Sequence, residues 1–196
     1  MEREMKVVCL GDSITYGFPY GPETSWVARL SENVNVQFIN KGINGNTTND
    51  MLNRFERAVI SNKPTHLVLM GGINDVVCGE SLDRVKYNLK TMTERALQED
   101  IKVIIGMPTA VDVKSWENVL KKLRIWIEEY ARENDLPVIH FEQAFYDENG
   151  LVRSELLLAD GGHPTERGYQ EMYKQIDINI FKAQPEYHPG LKERPE

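Results

Sequence analysis

Short apolar runs of strand length alternate along the chain with longer segments in which apolar residues recur every three or four positions. The apolar runs predict five strands, over residues 7–10, 34–40, 67–70, 103–106 and 137–141. Four segments have one apolar face at helical spacing: Met51, Leu52, Phe55 and Val59; Leu82, Val85, Leu89, Met92 and Ala96; Trp116, Val119, Leu120, Leu123, Ile127 and Tyr130; and Tyr169, Met172, Tyr173, Ile176 and Ile180. We expect each of these faces to pack on a sheet.

The order of these elements predicts an α/β fold with a parallel sheet. Strands that alternate with helices form βαβ units, and the helices of such units cover both faces of the sheet. Because the crossovers are right-handed, the carboxyl ends of the strands lie at one edge. Ligands in such folds bind along that edge, so the residues that directly follow each strand are the candidates for chemistry.

Length and composition indicate one globular domain. The chain has 196 residues, and we expect a single domain over residues 1–183 followed by an extended tail, rich in proline and charge, over residues 184–196. The formal net charge of −7 argues against a nucleic-acid partner, because phosphate binding requires a basic face. The charge is compatible with a neutral or cationic small-molecule substrate, and it leaves the oligomeric state open.

The N-terminal segment and the cysteines indicate the compartment. The opening residues MEREMKVVCL have mixed charge and a very short apolar run, so we expect no signal peptide. No apolar run approaches the length of a membrane helix, so we expect no membrane insertion. Cys9 and Cys78 form neither a disulfide framework nor a zinc-binding pattern. We therefore expect a cytoplasmic protein without a metal or another cofactor.

Small and polar residues follow four of the predicted strands. The segment Gly11-Asp12-Ser13 comes after the first strand, KGINGN from residue 41 after the second, GGIND from residue 71 after the third, and DGGHP from residue 160 beyond the fifth. Turn formation explains glycine and asparagine in such loops. It does not require serine, asparagine, aspartate and histidine to occur together at one edge.

Acyl transfer requires this combination of side chains. A serine hydroxyl is a weak nucleophile that needs a base, and a histidine base needs a carboxylate to fix its tautomer. Ser13, His163 and Asp160 are of the right types, and the Asp-Gly-Gly-His spacing places the last two on one short loop. The backbone N–H groups of Ser13 and Gly42, together with the Asn74 amide, are candidate donors to the developing oxyanion.

These four segments resemble the signature blocks of the SGNH (GDSL) hydrolase family, in the same order, across residues 11–163. The resemblance implies a three-layer, flavodoxin-like fold with five parallel strands, and esterase or lipase chemistry without a metal. It also implies Ser13 as the nucleophile, His163 as the base, Asp160 as the orienting acid, and Ser13, Gly42 and Asn74 as oxyanion donors. The chain lacks G-x-S-x-G, so the nucleophile elbow of the α/β-hydrolases does not apply.

Each candidate residue also has an ordinary structural interpretation. Ser13 could cap a helix, His163 could precede one, and Asp160 could hydrogen-bond its own loop. The occurrence of all four blocks in order favours the catalytic roles. Asp12 and Asp75 are predicted chiefly to accept backbone N–H bonds, although Asp12 is also a candidate for contact with the substrate.

The segment after Ser13 is the candidate substrate-binding loop. Tyr16, Phe18 and Tyr20 alternate there with glycine and proline, and aromatic rings suit sugar faces and acyl chains alike. Packing of this loop on its own core is the alternative interpretation. Asn44 and Asn46 are further candidates for contact with the leaving group.

We therefore predict a serine esterase that acts on a small-molecule ester through an acyl-enzyme. The short chain has no lid-sized apolar insertion, which favours small acyl groups such as acetate on a sugar. Thioesterase or lysophospholipase activity is the alternative among enzymes. A non-catalytic binding module and a flavin or nucleotide carrier are the alternatives from other classes; the segment GDSITYG lacks the lysine of a phosphate-binding loop, which disfavours the carrier.

Overall fold

A five-stranded parallel sheet with the order β2-β1-β3-β4-β5 forms the centre of the computed structural model, which describes residues 4–182. The strands are β1 (Lys6–Gly11), β2 (Gln37–Gly42), β3 (His66–Leu69), β4 (Lys102–Gly106) and β5 (Val138–Ile139). The chain is therefore α/β with the predicted parallel topology, and β1 lies between β2 and β3.

Eight α-helices pack on the sheet or connect its strands within the described residues. They are α1 (Ser13–Tyr16), α2 (Trp26–Asn33), α3 (Thr48–Asn53), α4 (Phe55–Ala58), α5 (Ile73–Val77), α6 (Leu82–Gln98), α7 (Lys114–Glu133) and α8 (Glu166–Lys174). Short 3-10 helices cover Pro22–Thr24, Ile60–Asn62, Phe141–Phe145, Ser154–Leu156 and Ile178–Phe181. Apolar side chains of α2 and α8 pack on one face of the sheet, and those of α3 to α7 pack on the other.

Alternation along β1 shows how the sheet separates two apolar cores. Val7 and Cys9 are buried in the core on the α2 and α8 side, whereas Val8 and Leu10 are buried in the opposite core. Successive side chains of a strand point to opposite faces, so a strand covered on both sides reads as a continuous apolar run. This explains why the run before Gly11 has no polar positions.

The second and fifth strands differ from the predicted ranges. Val34 closes α2, because its N–H is donated to Leu30, so the predicted range 34–40 began too early and β2 extends further, to Gly42. In the predicted range 137–141 only Val138–Ile139 pairs with β4, because Phe141 begins a 3-10 helix that buries its ring in the core.

Two helical predictions also require correction. The apolar positions from Met51 to Val59 do not lie on one helix, since the backbone leaves helical geometry at Arg54 and divides the segment into α3 and α4. The final predicted helix ends at Lys174; Ile176 lies in the segment that follows it, and Ile180 belongs to the 3-10 helix Ile178–Phe181. In both places the apolar side chains are buried in the cores or packed against them, although the helix that carries them is not continuous.

No helix within residues 4–182 has the length and apolarity needed to cross a membrane. The single domain over residues 1–183 stays a prediction, and the predicted tail, 184–196, lies outside the described residues.

A buried ion pair fixes the loop that follows β4. Arg124 and Glu117 of α7 form it with an N–O distance of 2.9 Å, and both side chains are less than a tenth exposed. The Arg124 guanidinium also donates to the carbonyls of Pro108 and Thr109, while the Glu117 carboxylate accepts from the Val111 N–H. The middle of the loop thus gains its hydrogen bonds from α7, whereas the N–H groups of Met107 and Asp112 are donated to Ile139 and Gly161.

We expect Arg124→Met to lower the free energy of unfolding by about 3–5 kcal/mol, because it leaves the Glu117 carboxylate buried without its partner. Urea-induced unfolding monitored by circular dichroism measures the change. The double variant Arg124→Met/Glu117→Gln should recover part of the loss, because it removes the unpaired charge. A double variant that is less stable than Arg124→Met would contradict this account.

Candidate active site

Ser13 lies at the carboxyl end of β1, where the strand turns into α1. The Asp12 carboxylate accepts the Ile14 N–H at 2.9 Å and caps the helix, and Ser13 is its first residue. Gly17 ends the helix after one turn in the left-handed conformation, with φ of 105°. Ser13 is only 4% exposed, so local backbone geometry holds the hydroxyl at the edge of the sheet.

The loop that carries His163 is organised by the carboxylate of Asp160. One oxygen of this carboxylate accepts the N–H groups of Gly162 and His163, at 2.9 and 3.0 Å. The other oxygen lies 2.7 Å from Nδ1 of His163. Gly161 between them has a φ of +70°, which favours glycine. The DGGH segment therefore folds around the side chain of its own first residue.

The structure brings Ser13, His163 and Asp160 together in one hydrogen-bonded chain. The Ser13 Oγ lies 2.9 Å from Nε2 of His163, although the two residues are 150 positions apart. A carboxylate at Nδ1 keeps the proton on that nitrogen, which leaves Nε2 to accept the serine hydroxyl. Burial opposes ionisation of Asp160, but the N–H groups of His163 and Gly162 outweigh it and hold the pKa of the carboxyl below its ordinary value.

Two of the three predicted oxyanion donors remain available in the structure. The N–H of Ser13 is at the start of α1, where helical N–H groups have no partner within the helix. The Asn74 amide donates to the backbone carbonyl of Asn46 at 2.9 Å. An amide NH₂ has two hydrogens, so one of them is left for a substrate oxygen.

Gly42 does not fit its predicted role as an oxyanion donor. Its N–H is donated to the side-chain oxygen of Asn40 at 2.8 Å. The next N–H, of Ile43, pairs with Gly11 of β1, so the Gly42 N–H faces away from β1 at the outer edge of the sheet. Glycine is required there for another reason: a Cβ would lie 2.1 Å from the backbone nitrogen of Tyr16 in α1.

The remaining N–H groups of the loop after β2 can be assigned in turn. The N–H of Ile43 is donated to Gly11, that of Asn46 to Ile43, and that of Thr47 to Asp50. Among the described residues, the N–H groups of Asn44 and Gly45 have no hydrogen-bond partner. Gly45 has a φ of +77° and is exposed in this loop.

The two other aspartates of these blocks support the loops, as predicted. Asp12 caps α1, and Asp75 accepts from both the N–H and the hydroxyl of Thr48 at 2.9 and 2.6 Å. Asp12 is only 1% exposed, which favours this supporting role; its contact with the substrate stays a prediction. Burial raises the pKa of Asp12 to about 6, against opposing effects from the Ile14 N–H and the nearby His163.

The aromatic residues after Ser13 have different environments. The ring of Phe18 packs against the imidazole of His163, with 4.6 Å between ring centroids. Tyr20 is half-buried and packs on the core, as the alternative interpretation of this loop predicts. Tyr16 is half-buried at the end of α1, and Asn44 is exposed in the turn after β2. Phe18 is therefore the aromatic residue that the structure brings to the catalytic groups.

Sequence analysis missed three contacts that support the site. Tyr169 of α8 was predicted as a core residue and is fully buried, but its hydroxyl also donates to the carbonyl of Phe18 at 2.9 Å. Asn46 was predicted to contact the leaving group, whereas its two oxygens accept from Asn74 and Arg54. The side chain of Arg54 also reaches the ends of β1 and β2. No local pattern marks such long-range contacts in the sequence.

No group of three or more histidine, cysteine, aspartate or glutamate side chains in residues 4–182 is arranged to hold a metal ion.

Comparison with known proteins agrees with this geometry. Residues 9–171 match the model of the GDSL-like Lipase/Acylhydrolase family. A protein of the lipolytic G-D-S-L family from Desulfitobacterium hafniense DCB-2 superimposes with a TM-score of 0.81 and 29% identity, over 88% of this chain and 97% of that one.

Two relatives extend the comparison. The uncharacterised lipoprotein YqeF of Bacillus subtilis is 24% identical over an alignment of 214 positions that covers 87% of each chain. An acetylxylan esterase of Geobacillus stearothermophilus is 36% identical over an alignment of 87 positions that covers 36% of this chain and 40% of the esterase. Because the family model matches most of this chain, the protein belongs to the GDSL-like lipase/acylhydrolase family and is a carboxylic ester hydrolase.

Proposed function

We propose that the protein is a serine esterase that removes short acyl groups, such as acetyl, from a carbohydrate or another small alcohol. The observation that carries the catalytic part is the hydrogen-bonded chain from Ser13 Oγ through His163 to Asp160, with distances of 2.9 and 2.7 Å. A non-catalytic binding module has no need of a nucleophile, a base and an acid in this geometry.

In this proposal His163 moves the proton in both halves of the reaction. Nε2 takes the hydroxyl proton as Ser13 Oγ attacks the ester carbonyl, and it returns that proton to the leaving alcohol. Water then attacks the acyl-enzyme with the same nitrogen as its base, and the acid is released from Ser13. The Asp160 carboxylate stabilises the imidazolium that forms in each half.

The oxyanion of each tetrahedral intermediate needs donors that are already in place. The Ser13 N–H and the free hydrogen of the Asn74 amide supply two of them. For the third we propose the loop after β2, where Gly45 and Asn44 keep free N–H groups and Gly42 does not.

Preference for a small acyl group rests on two observations. The Phe18 ring lies against His163, and the Tyr169 hydroxyl holds the carbonyl of the same residue, so an anchored ring narrows the space beside the imidazole. In addition, the partial match to an acetylxylan esterase concerns an enzyme that is named for acetyl esters.

A second candidate is an esterase for longer acyl chains. Ile43, in the loop after β2, and Val77, one helical turn after Asn74, are 44% and 43% exposed. Exposed apolar side chains near the candidate oxyanion donors are suited to contact an alkyl chain.

Initial rates on p-nitrophenyl acetate and p-nitrophenyl octanoate, for wild type and Ser13→Ala, test both candidates. We expect Ser13→Ala to lower kcat by about 10⁴-fold or more, because it removes the nucleophile. Ser31→Ala, which changes an exposed serine of α2, is the matched control and should keep wild-type rates. We also expect wild type to prefer the acetate ester and to release acetate from acetylated xylo-oligosaccharides.

A preference for octanoate would support the second candidate instead. Equal rates for wild type and Ser13→Ala would reject the assignment of Ser13 as the nucleophile.

The pKa of Asp12 leads to a prediction about pH. Because burial raises this pKa from 3.8 to about 6, the folded protein holds a proton that the unfolded chain has lost in that window. Stability therefore falls as the pH rises through the window. Asp12→Asn keeps an oxygen to cap α1 and removes the buried charge, so its stability advantage over wild type should grow to about 1–3 kcal/mol by about pH 8.

Chemical denaturation of both proteins between about pH 4 and about pH 8 measures this difference. Glu148→Gln, which neutralises an exposed carboxylate, is the control and should show no such trend. A constant difference between Asp12→Asn and wild type across the range would show that the Asp12 charge is not what destabilises the protein.

A further inference from the structure

Arg54 connects three segments of the site through one guanidinium group. It lies at the junction of α3 and α4, is half-buried, and donates from Nε to the side-chain oxygen of Asn46 at 2.7 Å. One terminal nitrogen donates to the carbonyls of Gly11 at 2.9 Å and Lys41 at 2.8 Å. The helix breaks at Arg54. From this position the Arg54 side chain reaches the ends of β1 and β2.

Each of these acceptors is adjacent to a candidate oxyanion donor. Gly11 is the last residue of β1, two positions before Ser13. Lys41 is the second-last residue of β2, just before the loop that carries Asn44 and Gly45. Asn46 accepts a hydrogen bond from Arg54 at its side-chain oxygen. Its backbone carbonyl accepts a second hydrogen bond, from the Asn74 amide. The candidate donors come from three different parts of the chain. The guanidinium forms hydrogen bonds to residues close to each of these parts.

The chemistry of the side chain suits this task. In the described residues Arg54 forms no ion pair with a carboxylate within 4.0 Å, so its partners are neutral oxygens. A planar guanidinium can donate in several fixed directions at once, whereas a lysine ammonium is a compact charge on a flexible stem. Burial lowers the pKa of Arg54 from its ordinary value, as expected for a group removed from water.

We infer that Arg54 is a positioning residue of the oxyanion hole, which holds the ends of β1 and β2 and the Asn46 loop at fixed separations. The inference rests on the proposed serine esterase function. Stabilisation of the oxyanion occurs in the transition state and not in the bound substrate. Loss of Arg54 should therefore lower kcat more than it changes KM.

The test compares Arg54→Met and Arg54→Lys with wild type on p-nitrophenyl acetate. We expect kcat to fall about 10- to 100-fold in both variants, because a small displacement of the donors is costly even where charge is retained. KM should stay within about threefold of wild type. Arg95→Met is the matched control: Arg95 also lies over this helical layer and pairs with Glu56 at 3.0 Å, but it does not contact the strand ends.

Two further measurements separate positioning from loss of folded enzyme. The burst of p-nitrophenol counts active sites, so kcat is expressed for each competent molecule. Phenylboronic acid accepts the Ser13 oxygen on boron, with the serine proton passing to His163, and gives a tetrahedral adduct whose oxygen occupies the oxyanion hole. Its inhibition constant should weaken in proportion to the loss in kcat/KM across the variants, which partial unfolding would not produce.

The pairing with Asn46 gives an independent check. Asn46→Ala removes the acceptor of Nε, and the double variant Arg54→Met/Asn46→Ala should lose no more activity than Arg54→Met alone, because both changes break one linkage. Fully additive losses would overturn the inference.

The inference is also overturned if Arg54→Lys keeps kcat within about threefold of wild type, or if Arg95→Met loses as much activity as Arg54→Met. An inhibition constant of phenylboronic acid that stays at the wild-type value while kcat falls would also overturn the inference. These failures leave the proposed function intact, because that function depends on Ser13→Ala. If Ser13→Ala keeps wild-type activity, the proposed function itself fails.

Discussion

The parallel pairing of β1 with both of its neighbours decides where the groups of the site lie. Leu10 is level with Leu69 of β3, and Gly11 is level with Gly42 of β2, so all three strands deliver their following loops to one edge. A shift of one residue in either pairing would exchange the side chains that β1 places in the two cores and would disrupt the packing of both. The apolar contacts that stabilise the sheet therefore also fix the position of Ser13. Packing of the sheet places the nucleophile, and the Asp12 cap of α1 then holds its backbone.

Local and long-range contacts in the site differ in how well they could be predicted. Asp160 and His163 are three residues apart, and their geometry is settled by hydrogen bonds within one loop, so the spacing of the residue types was sufficient to pair them. Arg54 reaches Gly11 across 43 positions and Lys41 across 13. The sequence around Arg54 has the apolar spacing of one helix, and only the folded chain shows that the helix breaks there.

Gly42 shows a second limit of the sequence. A glycine after a strand at the correct edge is a reasonable candidate for an oxyanion donor, and the residue type alone does not indicate which way its N–H points. That direction alternates along a strand, so it depends on the register of β2 against β1. The strand ends moved by two or three residues between prediction and structure, enough to reverse such an assignment. Element order and fold class depend on many residues and tolerate errors of this size.

Differences in exposure divide the site into two parts with different physical origins. Ser13 is 4% exposed and is held by backbone geometry and packing, whereas the side chains of His163 and Asp160 are 30% and 46% exposed. The acid stays ionised because its hydrogen bonds from Gly162 and His163 outweigh the effect of its partial burial, which opposes ionisation. Exposure of the imidazole also suits a base that must activate water in the second half of the reaction. The buried carboxyl near the triad, Asp12, supports the backbone of the nucleophile. The site thus combines a buried nucleophile with an exposed base. The fold achieves this by placing Ser13 at the end of a buried strand and His163 on a surface loop.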